Sequence, residues 1–186
     1  MSASSRIVAH LTETGQTLGC AESLTAGLVA AAVADTPGAS LVLRGGIVAY
    51  AADVKVALLG VPQELVRRVG TVDPEVARAM AEGVRRRLDA TWGLSTTGVA
   101  GPGPAEGKPA GTVHVAVAGP SGTVTRSLRL NGSRAQVRAA TVEALLELAA
   151  LTMGAPDQTA ATPTDPRGTV GTSAPAPPES PTRTTT

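Results

Sequence analysis

The residues that can build a core stop at Met153. From Gly154 to Thr186 the chain carries seven of its fourteen prolines, nine threonines, one valine and no leucine, isoleucine or aromatic residue. Ordering backbone costs about 1–2 kcal/mol per residue, and such a segment has too little apolar surface to offset it. We expect a disordered Pro/Thr-rich tail over residues 153–186 and one globular domain over residues 1–152. That domain must pack with Val, Leu, Ala and Ile, because the chain has no phenylalanine, one tryptophan and one tyrosine.

Hydrophobic periodicity before the tail alternates between helical and extended patterns. Arg6 to Thr14 places Ile7 and Leu11 on one face and stops at Gly15, as a helix does. Leu18–Ala21 is expected to be a short buried strand, Leu24–Ala34 a small-residue helix, and Leu43–Ala49 a second strand. Asp53 is placed to cap a short helix that ends at Gly60. Pro74–Asp89 is the strongest helix: Asp73 stands at the N-cap, Pro74 at the first position, and Val76, Met80, Val84 and Leu88 share a face. Arg85, Arg86 and Arg87 in its last turn suit the negative dipole end. Leu94–Thr97 and the alternating Val113, Val115 and Val117 are strand-like, and Pro120-Ser-Gly122 turns the latter into a hairpin with Thr123–Leu130. Ser133 followed by Gln136 is a capping box for a last helix burying Val137, Thr141, Ala144, Leu145 and Leu148. The order predicts an α/β fold, a mixed sheet covered by helices.

Several function classes are disfavoured. Sixteen basic residues against fifteen acidic ones leave a net charge of +1, without the basic surplus or aromatic platforms of a nucleic-acid partner. The longest apolar run, Leu28–Ala34, is far short of a membrane span of about 20 residues. The single cysteine, Cys20, excludes an internal disulfide and fits a reducing compartment. The first residues lack the apolar stretch of a signal peptide, so a cytoplasmic location is expected. His10, His114 and Cys20 are scattered with no ligand spacing, which argues against a metal site. His114 alternates with valines and faces either solvent or a pocket.

Three loops hold more Gly, Ser and Thr than turns require. Residues 21–27 join a strand to a helix whose N-terminus suits an anion such as phosphate, with Ser23 and Thr25 as extra donors; a plain helix cap explains the same residues equally well. Residues 97–109 are Gly-rich but match neither the P-loop nor the dinucleotide spacing, leaving a ligand loop and a flexible connection as alternatives. In residues 37–55, Tyr50 stands at a strand end and Lys55 in the first turn of the next helix. The helix dipole and burial both disfavour an ammonium there, as a lysine general base requires. Ser40, on the loop entering the same strand, supplies a nucleophilic hydroxyl. Spacing alone leaves open a surface Lys55, a packing Tyr50 and a turn Ser40.

The runs AESLTAG (21–27), PGAS (37–40), RGGIVAYAADVK (44–55), LLGVP (58–62), TTGVAGPG (96–103), KPAGTV (108–113) and GSRAQVRAATVEALL (132–146) resemble, in order, the CinA C-terminal domain family of nicotinamide-nucleotide amidases. The resemblance covers the whole globular part. It implies a three-layer α/β/α sandwich that hydrolyses the carboxamide of nicotinamide mononucleotide (NMN) to nicotinate mononucleotide and ammonia in NAD salvage, without cofactor or metal. It also implies a homo-oligomer, with a dimer favoured. In site terms it implies Ser40 as nucleophile, Tyr50 as proton relay and Lys55 as general base. Glu22, Ser23, Thr25, Thr97, Gly98, Gly101 and Arg134 would hold the nucleotide. Ala26 stands where a second glycine is common, and Ser133 replaces an aspartate. Many members carry a further N-terminal domain, so the chain resembles the stand-alone form. The alternative function is a non-catalytic nucleotide-binding or competence-associated regulatory module of the same fold.

Overall fold

A computed structural model describes residues 1–155, so the expected tail lies almost wholly outside the described residues. The elements are α1 (Ala3–Thr14), β1 (Leu18–Glu22), α2 (Leu28–Ala34), a 3-10 turn (Ala39–Leu41), β2 (Leu43–Val48), α3 (Ala52–Leu59), α4 (Gln63–Val69), α5 (Pro74–Arg87), β3 (Trp92–Gly98), β4 (Thr112–Gly119), β5 (Gly122–Arg129) and α6 (Arg134–Met153). The sheet has the order β2-β1-β3-β4-β5. Strands β2, β1 and β3 are parallel, and β4 and β5 continue antiparallel. Helices α1, α2 and α6 cover one face and α5, backed by α3 and α4, covers the other. This is the expected three-layer sandwich with a mixed sheet.

Local signals set most boundaries. Gly15, in the left-handed region at φ 63°, ends α1. The Asp73 carboxylate accepts from the Glu75 N–H ahead of α5. Ser133 and Gln136 form the reciprocal capping box of α6. The small helix predicted from Leu24 begins only at Leu28, because residues 23–27 form a turn. Asp53 does not cap α3: it lies inside the first turn, and the N-cap position falls on Ala51, which makes no side-chain cap bond. Helix α4 was not anticipated: it is one short stretch with no fully buried residue, resting on the core only through partly buried Leu65, Val66 and Val69.

The two faces of the sheet are packed differently. Ile7, Leu11, Leu18, Leu94, Val113, Val115, Val117 and Leu145 form the main aliphatic core beneath α1, α2 and α6. The α5 face has two parts: Val76, Met80 and Val84 of α5 pack with Leu59 and Val61, and Ala116 and Ala118 meet Ala77 and Ala81. Gly93 makes that approach feasible: a Cβ there would lie 2.0 Å from the Ala81 carbonyl oxygen. His114 alternates with the β4 valines as expected, but both faces of β4 are buried, so it lies inside and its Nδ1 is 2.8 Å from Ser127 Oγ. Among the described residues no helix is long and apolar enough to cross a membrane.

Candidate active site

All three parallel strands end at the same edge of the sheet. Glu22 runs into Ser23, Val48 into Ala49 and Tyr50, and Gly98 into the Gly/Pro loop. The chain leaves β1 for α2 on one face and β2 for α3 on the other. Connections that diverge in this way open a crevice at the carboxyl ends of the strands. A cavity of about 240 Å³ lies there, lined by Ser23, Tyr50, Gly98, Gly101, Glu106 and Arg134 among others.

Ser23 is held rigidly. The Glu22 side chain is 1% exposed, and its carboxylate accepts from the N–H groups of Gly27 (2.8 Å), Val29 (3.1 Å) and Ala30 (2.9 Å). The backbone returns through left-handed Ala26 (φ 50°) and Gly27 (φ 101°). From α6, Arg138 Nε donates to the Leu24 carbonyl at 2.9 Å and Nη2 to that of Thr25 at 2.8 Å. Thr25 Oγ1 lies 2.8 Å from Thr96 Oγ1, and the Ser23 N–H donates to the Thr96 carbonyl at 3.1 Å. The turn is therefore tied to β3, to α2 and to α6.

Lys55 points back into this turn from the first turn of α3. Its side chain is fully buried. Nζ lies 3.0 Å from Ser23 Oγ, 2.8 Å from the Ala49 carbonyl and 3.1 Å from the Tyr50 carbonyl. Burial pulls its pKa from 10.5 down to about 8, against the opposing pull of the Glu106 carboxylate. The geometry fixes the direction of each hydrogen bond once the amine is neutral. Carbonyls only accept, so the two N–H bonds must go to Ala49 and Tyr50. The remaining lone pair then faces the Ser23 hydroxyl, as a general base requires.

The expected convergence of Ser40 with Lys55 does not occur. Ser40 sits in the 3-10 turn before β2, whereas Lys55 Nζ reaches the residues just after it. Six strand residues at about 3.3 Å each put roughly 20 Å between them. Ser40 instead lines a separate depression with Arg44 and Arg87 at the opposite edge of the sheet. Tyr50 is at the site, but its side chain is 56% exposed and its hydroxyl accepts from Arg134 Nη2 at 2.8 Å. Only its backbone carbonyl meets Lys55, so the structure gives it no relay contact.

Of the expected nucleotide-binding residues, Ser23, Gly98, Gly101 and Arg134 line the cavity. Glu22, Thr25 and Thr97 do not. Glu22 caps α2 with its own carboxylate, which fills the N-terminus expected to receive phosphate. Thr25 is buried against Thr96, and Thr97 Oγ1 donates to the Thr71 carbonyl at 2.7 Å. Sequence reasoning missed Arg138 and Glu106, the latter inside the Gly-rich 97–109 loop, and it missed the capping role of Glu22. Among the described residues no His/Cys/Asp/Glu group could hold a metal ion. Burial pushes the Cys20 thiol well above its ordinary range, reinforced by Glu22, so it stays a packed thiol.

A mixed three-layer sandwich with a buried serine–lysine pair at its parallel-strand ends defines the class. The chain belongs to the CinA C-terminal domain family, whose model matches residues 1–153. It is 52% identical over 142 residues to a CinA-like protein of Frankia casuarinae, covering 76% of this chain and 33% of that protein. It is 48% identical over 143 residues to one from Gloeobacter violaceus, covering 75% and 34%. The chain thus spans about a third of the length of these curated relatives. Among solved structures, the competence/damage inducible protein CihA of Agrobacterium tumefaciens superposes with a TM-score of 0.78 at 34% identity, covering 82% of this chain and 93% of that one. A CinA superfamily protein of Escherichia coli gives 0.77 at 30%, covering 81% and 87%.

Proposed function

We propose that the protein is an amidohydrolase that converts NMN to nicotinate mononucleotide and ammonia, with Ser23 as nucleophile and Lys55 as general base. One observation carries the reading: a fully buried lysine whose two carbonyl partners leave its lone pair to a serine hydroxyl in the cavity. A purely structural lysine has no need of a hydroxyl, and a binding module has no need of an amine brought near neutrality.

The chemistry follows from the geometry. Neutral Lys55 takes the Ser23 proton as Oγ bonds to the carboxamide carbon and the carbonyl electrons move onto oxygen. The resulting ammonium returns that proton to the nitrogen as the C–N bond breaks, releasing ammonia and leaving a Ser23 ester. A water molecule gives a proton to the same amine as it attacks the ester, the ammonium passes that proton to Ser23 Oγ as the C–O bond breaks, and the acid formed loses its own proton to solvent to leave the carboxylate. The backbone N–H groups of Leu24 and Thr25 make no hydrogen bond among the described residues and follow the nucleophile directly. They are the candidate oxyanion donors, each typically worth about 2.7–4 kcal/mol. Arg134 Nη1 donates to the Gly101 carbonyl at 3.1 Å, so its guanidinium sits exposed at the rim, where it suits a 5′-phosphate.

Ammonia release from NMN by the purified protein tests the reading. It should rise with pH through about 8 as Lys55 loses its proton. Absence of any release, or a rate flat from pH 6 to 9, would refute it.

A further inference from the structure

Glu106 has no role in the chemistry above, yet it lines the same cavity as Ser23. It lies in the loop between β3 and β4, at a left-handed φ of 50°, which turns its side chain toward the strap before α5. There its carboxylate accepts from the Thr71 N–H (2.7 Å), the Thr71 hydroxyl (2.6 Å) and the Val72 N–H (3.2 Å). Among the described residues it makes no ion pair within 4.0 Å. Lys108, the nearby cation of the same loop, turns its ammonium to the Val69 and Val72 carbonyls instead. Burial alone would raise the Glu106 carboxyl, but the Thr71 and Val72 hydrogen bonds and the Lys108 charge together hold it below its ordinary value. The wall of the cavity thus carries a fixed negative charge on an exposed residue.

That charge works against the general base, because it favours the ammonium form of Lys55. An anion that hinders the free site makes chemical sense if the bound substrate neutralises it. A carboxamide on a quaternary pyridinium ring carries a full positive charge a few bonds from the reacting carbon. Bound beside Glu106, such a ring cancels the carboxylate's field at Lys55.

Resting on the amidase reading above, we propose that Glu106 is the counter-ion of a cationic ring in the cavity. It makes the site selective for amides of quaternary N-heteroaromatic nucleotides over neutral amides of the same shape. With Arg134 at the rim, the site then matches a zwitterion: positive ring inside, phosphate at the mouth.

The test compares NMN with benzamide riboside 5′-monophosphate, a neutral-ring isostere, on wild type and Glu106→Gln. Glutamine can keep all three contacts: its carbonyl oxygen accepts from the two backbone N–H groups and its amide donates to the Thr71 hydroxyl. Wild type should prefer NMN, reading kcat/KM for NMN against kcat/KM or Ki for the isostere. Glu106→Gln should lose about tenfold in kcat/KM for NMN, the scale of one lost charge contact, and nothing for the isostere. Its kcat/KM limb should also move to lower pH. Equal losses on both ligands would make Glu106 a loop latch and overturn the proposal. So would wild type that binds the two alike, a result that does not depend on the variant folding. If wild type releases no ammonia from NMN, the amidase reading fails first and this inference falls with it. Normal NMN turnover without charge selectivity sinks the inference alone.

Discussion

Lys55→Met removes a buried amine whose proton affinity differs between the folded and unfolded chains. In the folded protein the pKa is about 8 against an ordinary value of 10.5. Below about pH 8 both states carry the ammonium, and the folded state bears the whole penalty of burying it. Between about 8 and 10.5 the folded amine has lost its proton while the unfolded one keeps it, so wild-type stability rises with pH. Above 10.5 both are neutral and the gain is complete. A gap of about 2.5 units at 1.36 kcal/mol each corresponds to roughly 3 kcal/mol. The substitution also strips partners from the Ala49 and Tyr50 carbonyls, but that loss does not depend on pH and cancels in the comparison. Urea unfolding of both proteins from pH 7 to 10.5 therefore reads the difference directly. Wild type should gain on Lys55→Met by up to about 1.4 kcal/mol per pH unit above pH 8. Two stability curves that stay parallel across that range would refute the buried, near-neutral lysine on which the mechanism rests.

Arg138→Ala frees the Leu24 and Thr25 carbonyls and should lower kcat by about 10–100-fold with little change in KM, since it displaces the nucleophile rather than the ligand; steady-state kinetics on NMN checks this. Glu22→Gln places an N–H donor against backbone N–H donors at the start of α2 and should destabilise the fold by about 2–4 kcal/mol in denaturant titration. Gly93→Ala forces a methyl group into the Ala81 carbonyl and should cost about 1–3 kcal/mol or more in the same assay.

Periodicity and capping residues made most of the fold legible. Asp73-Pro74 and Ser133 with Gln136 carry their boundaries in local chemistry, and the aliphatic alternation of β4 marks a strand whatever covers it. Helix α4 was illegible because it is only seven residues long and packs through partly buried Leu65, Val66 and Val69 alone. The site was half legible. Lys55 stood out as a cation at a helix start, but pairing it with Ser40 took nearness in sequence for nearness in space. A parallel β-α-β unit reverses that logic. Residues just after β1 and just after β2 become neighbours, since Glu22 and Val48 are in register, while a residue before β2 is carried to the far edge. Ser23 follows once β1 and β2 are known to pair in parallel, a pairing that no local signal carries. Arg138 and Glu106 do not: each acts through long-range contacts that leave no local pattern.

The account turns on which serine faces Lys55. Ammonia release from NMN, compared for Ser23→Ala and Ser40→Ala with folding checked by circular dichroism, decides it. Ser23→Ala should lose at least about 1,000-fold in kcat while Ser40→Ala keeps wild-type turnover. The opposite pattern, a silent Ser40→Ala beside an active Ser23→Ala, would contradict it.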